Sequence, residues 1–265
     1  MLELYQFELS EYCEKIRFIL DYKGLPYRKV EVTPGIGQLD VFRMSGQRQV
    51  PVLKDGSEVI ADSTAIAEYL ERQYPDRPII PTEPKQRGLC LLIEQWADES
   101  IGLNARKCML GEMGKSADFR QSFLPSDMPD LVKTALGVVP NELFGVLEIG
   151  AGLTPDVLKK AQDAMKRDLA SLCFILDQQP YLVGDQPTLA DFAVAALTMY
   201  VKFPGGGYLD LPDALKNKGV KGIADIGTFE PFFTWRDKLY ADFRKASVMD
   251  IPSGSGSGPT SINIE

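Results

Sequence analysis

The sequence predicts a chain of two parts: a small α/β sandwich with a mixed sheet, followed by an all-helical part. Strand-like and helix-like patterns alternate over about the first 80 residues, as is typical of a compact α/β unit. Beyond about residue 85, the apolar residues recur at helical spacing instead. A proline-rich stretch at 74–84 separates the two patterns and indicates a linker. We therefore expect one domain over residues 1–80 and a second over 85–250.

The first part is predicted to run β-α-β, then an irregular stretch, then β-β-α. Its first strand is LELYQF, which is rich in aliphatic and aromatic side chains. A helix with Tyr12 and Ile16 on its inner face follows and ends near Gly24. An Asp-Gly pair at 55–56 provides a tight turn between the last two strands. The remaining strands are expected at Tyr27–Val32, Val50–Leu53 and Ser57–Ile60, and the closing helix over Ile66, Ala67, Leu70 and Tyr74.

Three stretches of the second part have helical periodicity. The first has five large side chains on one face: Leu89, Leu92, Ile93, Trp96 and Leu103. The second begins at Thr154 and Pro155, residue types that favour a helix N-cap and a first helical position. The third, 189–201, is apolar on nearly every side and is predicted to lie at the centre of its domain. We interpret 111–156 as an insertion of short helices and loops, and 253–265 as a flexible tail.

Composition and charge exclude several classes of function. A net charge of −8 disfavours nucleic-acid and membrane-surface binding, because such a surface repels phosphate. The absence of histidine excludes Ser-His-Asp catalysis and histidine-ligated zinc. The four cysteines lack the spacing of a zinc site or a disulfide framework, so we expect neither a metal nor a cofactor. The acidic start of the chain is unlike a signal peptide and indicates a cytoplasmic protein.

Four segments, in this order, resemble the cytosolic glutathione transferase superfamily: Ser10–Arg17, Gln49–Leu53, Asp62–Leu70 and Thr188–Asp191. The resemblance covers about residues 1–110 and 154–245. It implies a thioredoxin-like N-terminal domain that binds glutathione and a C-terminal helical bundle. It also implies a homodimer, which is common in the superfamily.

The first segment resembles the active-site turn of the serine-type and cysteine-type classes. Ser10 holds the position of the residue that points at the glutathione sulfur, and Tyr12 is the aromatic that follows. Glu11 departs from the family pattern, which has proline there. A hydroxyl that donates to the sulfur beside a helix N-terminus favours the thiolate without any histidine. Ser10 is therefore the expected catalytic residue, with Tyr5 and Cys13 as alternatives of lower rank.

The other segments resemble the glutathione-binding elements of the superfamily. Val50 and Pro51 resemble its cis-proline turn, and Gln49 stands where several classes have a residue that contacts glutathione. Asp62 and Ser63 resemble the pair that recognises the γ-glutamyl end of glutathione. The second-substrate pocket is expected between Tyr12 and the helix at 96–107, with Trp96 and Asn104 in its wall.

Thr188 and Asp191 resemble the N-capping box of the superfamily. We assign this pair to folding, because a carboxylate in so apolar a helix needs hydrogen-bond partners.

Together these features predict an enzyme in which glutathione thiolate attacks a small electrophile or a peroxide. Two alternatives remain. One is a glutathione-dependent thiol reductase that uses Cys13, and the other is a non-catalytic binding protein with the same fold. The identity of the second substrate is not encoded in the motifs.

Overall fold

The computed structural model describes residues 1–33, 37–123 and 152–246, and its fold is the predicted one. An α/β part comes first, with β1 (Leu2–Gln6), α1 (Glu11–Lys23), β2 (Tyr27–Glu31), α2 (Gln38–Ser45), β3 (Val52–Asp55), β4 (Glu58–Ala61) and α3 (Ser63–Gln73). A mostly helical part follows, with α4 (Pro84–Trp96), a π-helical segment (Ala97–Gly102), α5 (Leu103–Lys115), α6 (Ala117–Gln121), α7 (Pro155–Leu176), α8 (Leu189–Leu197) and α9 (Glu230–Phe243). The predicted tail at 253–265 lies outside the described residues, as does most of the predicted insertion.

The four strands form one mixed sheet in the order β2-β1-β3-β4. β1 is parallel to β2 and antiparallel to β3, and β3 and β4 form the expected hairpin. Gly56 provides the positive φ of 59° that its turn requires. β3 begins at Val52 rather than at Val50, because Pro51 has no N–H to donate to a ladder.

α2 is a helix that the sequence analysis missed, since its residues fell in the stretch predicted to be irregular. Of its eight residues only Val41 is buried, so the helix has almost no apolar periodicity to detect. The helix bears on the candidate functional site described below, because its first residue, Gln38, lines the cleft of that site.

The predicted inner face of α4 is confirmed for Ile93 and Trp96, which pack against the core, and is wrong for the three leucines. Leu89, Leu92 and Leu103 are 41%, 63% and 40% exposed. The buried positions of this stretch are instead Cys90, Glu94, Ala97 and Ile101. Two physical causes explain the error. Glu94 is a charged residue that faces inward, and the π-helical segment shifts the helical phase between α4 and α5.

α8 is fully buried, as predicted, and packs against α1 and α4. The capping box at its start is confirmed. Asp191 accepts hydrogen bonds from the backbone N–H groups of Thr188 and Leu182, each at 2.7 Å, and from the Thr188 hydroxyl at 2.7 Å. α8 therefore joins the two parts of the chain through one continuous core.

A buried set of charges also ties the residue after α9 to α1. We call it the Arg244 cluster, and its members are Glu14, Arg17, Asp21 and Arg244. Arg244 Nε lies 2.8 Å from Glu14 Oε1, and Arg17 Nε lies 2.5 Å from Glu14 Oε2. Arg244 also pairs with Asp21.

Candidate functional site

A cleft of about 580 Å³ lies between the loops of the α/β part and the helical part. It brings together seven of the predicted site residues: Ser10, Tyr12, Gln49, Val50, Pro51, Asp62 and Ser63. The π-helical segment and α5 supply the opposite wall, through Asp98, Glu99, Leu103 and Arg106. Sequence segments separated by tens of residues therefore converge on one open space.

Ser10 is the N-cap of α1, and its Oγ accepts a hydrogen bond from the N–H of Cys13 at 3.3 Å. Capping uses a lone pair of the oxygen, so the hydroxyl hydrogen stays available to a ligand. The N-terminus of α1, with its positive partial charge, lies next to this hydroxyl. The position favours a negatively charged atom in the cleft.

Tyr12 contributes its ring to the cleft, while its hydroxyl is already used. That hydroxyl donates to the backbone oxygen of Asp98 at 3.0 Å. Burial, followed by the nearby charges of Glu11 and Asp98, raises the pKa of Tyr12 to about 12. The phenol therefore stays protonated at neutral pH and ties α1 to the π-helical segment.

The two lower-ranked thiol-activating residues do not line this cleft. Cys13 is fully buried, and burial raises the pKa of its thiol to about 11. Tyr5 packs with a separate small apolar cluster, and its hydroxyl lies 3.4 Å from Glu3 Oε2. Ser10 is thus the predicted candidate that faces the open space.

Asp62 and Ser63 form the start of α3. Asp62 Oδ1 accepts from the N–H groups of Thr64 at 3.0 Å and Ala65 at 3.1 Å. Its φ of 79° is unusual for a residue other than glycine, and such strain is common at binding sites. On the same wall, just before the residue of β3 that pairs with Ala61, the Val50-Pro51 peptide bond is cis, as the resemblance implies.

A buried polar network under this part of the cleft escaped the sequence analysis. We call it the Lys15 cluster, and its members are Lys15, Ser63, Thr64, Glu94 and Asp98. Lys15 Nζ pairs with Glu94 and lies 2.8 Å from Asp98 Oδ2 and 3.4 Å from Ser63 Oγ. Thr64 Oγ1 donates to Glu94 Oε1 at 2.6 Å. The cluster places a buried cation beneath the N-terminus of α3.

Asp98 differs from the other members of the Lys15 cluster. Its Oδ1 is buried and has no hydrogen-bond partner among the described residues. Burial raises the pKa of Asp98, and the charge of Lys15 partly offsets this. An orphaned acceptor of this kind is uncommon in a folded protein.

Glu11 and Arg106 form a second pair that sequence reasoning did not find. Glu11 is 1% exposed, and its Oε1 accepts from Arg106 Nε at 3.1 Å and from Nη2. The family's proline is therefore replaced by a buried acid that binds a cation from α5. Only the departure at position 11 gave a signal, and nothing in the sequence named its partner.

Trp96 and Asn104 were predicted for the second-substrate wall, but they do not line the cleft. Trp96 packs against the core, and Asn104 Nδ2 donates to Ser100 Oγ of the π-helical segment at 3.4 Å. Leu103 and Arg106 occupy the wall instead, because the π-helical segment changes which side chains of this helix face the cleft.

No helix within the described ranges combines the length and the apolar character needed to span a bilayer.

Comparison with known proteins adds independent findings. A family model described as glutathione S-transferase, N-terminal domain, matches residues 4–78, and one described as glutathione S-transferase, C-terminal domain, matches 153–217. Together they cover more than half of the chain.

Curated relatives match over shorter stretches. A glutathione S-transferase from Triticum aestivum is 35% identical over 98 residues, 37% of this chain and 46% of that protein. A maleylpyruvate isomerase from Ralstonia sp. is 35% identical over 89 residues, 32% of this chain and 42% of that protein. The matches therefore span less than half of the length of these relatives.

Among solved structures, a glutathione S-transferase from Rhodospirillum rubrum F11 aligns with a TM-score of 0.63 at 19% identity. The alignment covers 91% of this chain and 88% of that one. At this identity the likeness shows a shared fold.

Proposed function

Because the chain belongs to the glutathione S-transferase superfamily, we propose that it binds glutathione and transfers it, as the thiolate, to a small electrophile or peroxide. The convergence of Ser10, Val50 and Ser63 on one cleft is the observation that carries the proposal. Homodimer formation, which rests on the family resemblance, and a cytoplasmic location are also part of the proposal.

In this proposal the γ-glutamyl end of glutathione binds at the start of α3. Its carboxylate accepts from the Ser63 hydroxyl and from free N–H groups at the helix N-terminus, with Lys15 as a buried cation below. Asp62 offers its remaining oxygen to the ammonium group. Val50 pairs with the peptide backbone of glutathione, and Gln49 contacts it nearby.

Ser10 then donates a hydrogen bond from its hydroxyl group to the glutathione sulfur. A free thiol has a pKa of about 8.5, and lowering it by two units corresponds to about 2.7 kcal/mol. A hydrogen bond to a charged atom, together with the N-terminus of α1, supplies an effect of this size. No general base is required for the attack once the thiolate has formed.

The two alternatives receive less support from the geometry. A thiol reductase that uses Cys13 needs an accessible thiolate, whereas this thiol is fully buried and its pKa is raised to about 11. A non-catalytic binding protein would keep the start of α3 but would not need the hydroxyl of Ser10 to face the same space. Retention on immobilised glutathione, with no turnover of any electrophile or peroxide, would favour that reading.

Replacing Ser10 tests the proposal directly. Ser10→Ala is expected to lower turnover at neutral pH while largely sparing glutathione affinity, and Ser10→Thr is expected to retain activity. Titration of thiolate absorbance should show the pKa of bound glutathione rising toward its free value. The rate loss should therefore shrink above about pH 8.5, where an unaided thiol ionises.

The change also removes a helix cap, so it needs a matched control. Ser116 caps α6 in the same way, accepting from the N–H of Phe119 at 3.1 Å, and does not line the cleft. Ser116→Ala should leave turnover and the thiol pKa unchanged. Full activity and an unshifted thiol pKa in Ser10→Ala would refute the catalytic role of Ser10.

A further inference from the structure

The Glu11–Arg106 pair is built differently from an ordinary surface ion pair. Glu11 is buried, while the Arg106 side chain is 44% exposed and lines the cleft. Nε and Nη2 of Arg106 both donate to one oxygen of Glu11, which leaves the Nη1 group outside this contact. The buried acid therefore fixes the orientation of a partly exposed guanidinium that lines the cleft.

Arg106 also contacts the first turn of α1. Its guanidinium carbon is 5.8 Å from the centre of the Tyr12 ring, and its acid partner is Glu11. These are the two residues that directly follow Ser10. Ser10 and Arg106 line the same cleft, so one bound substrate can contact the guanidinium while it reacts with a sulfur held by the Ser10 hydroxyl.

The charges of the cleft single out Arg106. Of the charged side chains that line it in the described residues, Glu11, Asp62, Asp98 and Glu99 are acidic, and Arg106 alone is basic. Asp98 is paired with Lys15, and Asp62 caps α3. On the wall formed by the π-helical segment and α5, Arg106 is thus the positively charged side chain among the described residues, and an anionic group of a ligand at that wall is attracted to it.

We propose that Arg106 binds an anionic oxygen of the second substrate, so that the site favours electrophiles carrying a carboxylate over their neutral equivalents. The inference rests on the function proposed above and names the substrate class of that same site. Guanidinium is suited to the task because its planar N–H groups bind a carboxylate while Glu11 holds the other edge.

A pair of probes that differ only in charge tests this inference on the full chain with glutathione. We choose 4-chloro-3-nitrobenzoate and 4-chloro-3-nitrobenzamide. In both, the thiolate sulfur forms a bond to the ring carbon that bears chlorine, and chloride leaves with the electrons of the broken C–Cl bond. The quantity measured is the ratio of kcat/KM for benzoate over benzamide, divided by the ratio of the uncatalysed rates.

In the wild type this corrected ratio should be about ten or more, as expected for a hydrogen bond to a charged group. In Arg106→Gln it should fall toward one, and Arg106→Lys should retain part of it. Lys107→Gln removes the same charge from the next residue of α5, which does not line the cleft, and should leave the ratio unchanged.

Arg106→Gln leaves Glu11 buried without its cation, so it risks misfolding. The double variant Glu11→Gln/Arg106→Gln removes both charges with amides of similar shape and should lose the preference equally. A wild-type ratio near or below one, or an unchanged ratio in the folded double variant, would overturn the inference while leaving the transferase function intact. Failure of the wild type to conjugate either probe or any other electrophile or peroxide would overturn the proposed function, and the inference with it.

Discussion

Neighbouring residues of α1 enter two buried charge clusters that differ in what surrounds them. Glu14 and Arg17 belong to the Arg244 cluster, and Lys15 belongs to the Lys15 cluster. All three side chains are fully buried. Charged side chains of α1 therefore lie in the protein interior on two sides of the helix.

The Arg244 cluster is closed. Both oxygens of Glu14 accept from guanidinium groups, and Asp21 accepts from Arg244 and from the N–H of Lys245. None of its four members lines the cleft. Its effect is to fasten the chain after α9 to α1.

The Lys15 cluster is open on one side. Ser63 and Asp98 line the cleft, and Asp98 Oδ1 lacks a partner in the described part of the chain. Burial of this kind costs stability unless a ligand or a function compensates for it. The comparison predicts that buried charge on one helix serves attachment on one side and ligand binding on the other.

The largest expected effect is on stability, from Arg244→Met. This change leaves Asp21 without its cation and Glu14 with Arg17 alone, which should lower the free energy of unfolding by about 3–5 kcal/mol. Urea unfolding measures it. Lys238→Met is the control on α9. Lys238 forms an exposed pair with Asp242, so its replacement should not measurably change the free energy of unfolding. Weakened glutathione binding in folded Arg244→Met would remove the distinction between the two clusters.

Lys15→Met should affect both properties. Loss of the cation leaves Glu94 and Asp98 facing each other in the interior, so we expect a stability loss of about 3 kcal/mol. The folded protein should also bind glutathione about tenfold more weakly or worse, because the negative charge beneath Ser63 is no longer balanced. Calorimetric titration of the folded variant with glutathione measures this change in affinity. Unchanged affinity would mean that the Lys15 cluster is purely structural.

The buried Asp191 differs from the acids of the two clusters, because its hydrogen bonds come from backbone N–H groups and a hydroxyl. Its expected effect on stability is smaller and depends on pH. Burial raises its pKa from 3.8 to about 6. The folded protein thus binds a proton more tightly than the unfolded chain, so this group's contribution to stability falls as pH rises from 3.8 to about 6 and is constant above.

Asp191→Asn should therefore remove a decline of stability between about pH 4 and pH 6 that the wild type shows. Unfolding curves across this range, compared at each pH, measure the difference. Glutathione affinity should not change, since Asp191 lies away from the cleft lining. Parallel pH profiles for the two proteins would contradict the raised pKa.

Local signals explain which parts of this protein were predictable. The cap at Thr154, the turn at Gly56 and the apolar faces of α1, α7 and α8 each depend on residues close together in the chain. Their energies are set within a turn or two of helix, so the pattern of neighbours suffices. The Ser10, Val50 and Ser63 segments were recognisable for a related reason, because each is a short motif.

By itself, then, the sequence determined the two-part fold, the inner faces of α1, α7 and α8, and the residues that line the α/β wall of the cleft. Tertiary structure alone decided which side chains form the opposite wall. The π-helical segment shifts the phase of α5, so that Leu103 and Arg106 face the cleft rather than Trp96 and Asn104. It also decided that Lys15 meets Glu94 and that Glu11 meets Arg106, pairs separated by 79 and 95 residues. Attraction between charges depends on distance in space, and no local pattern of residues encodes it.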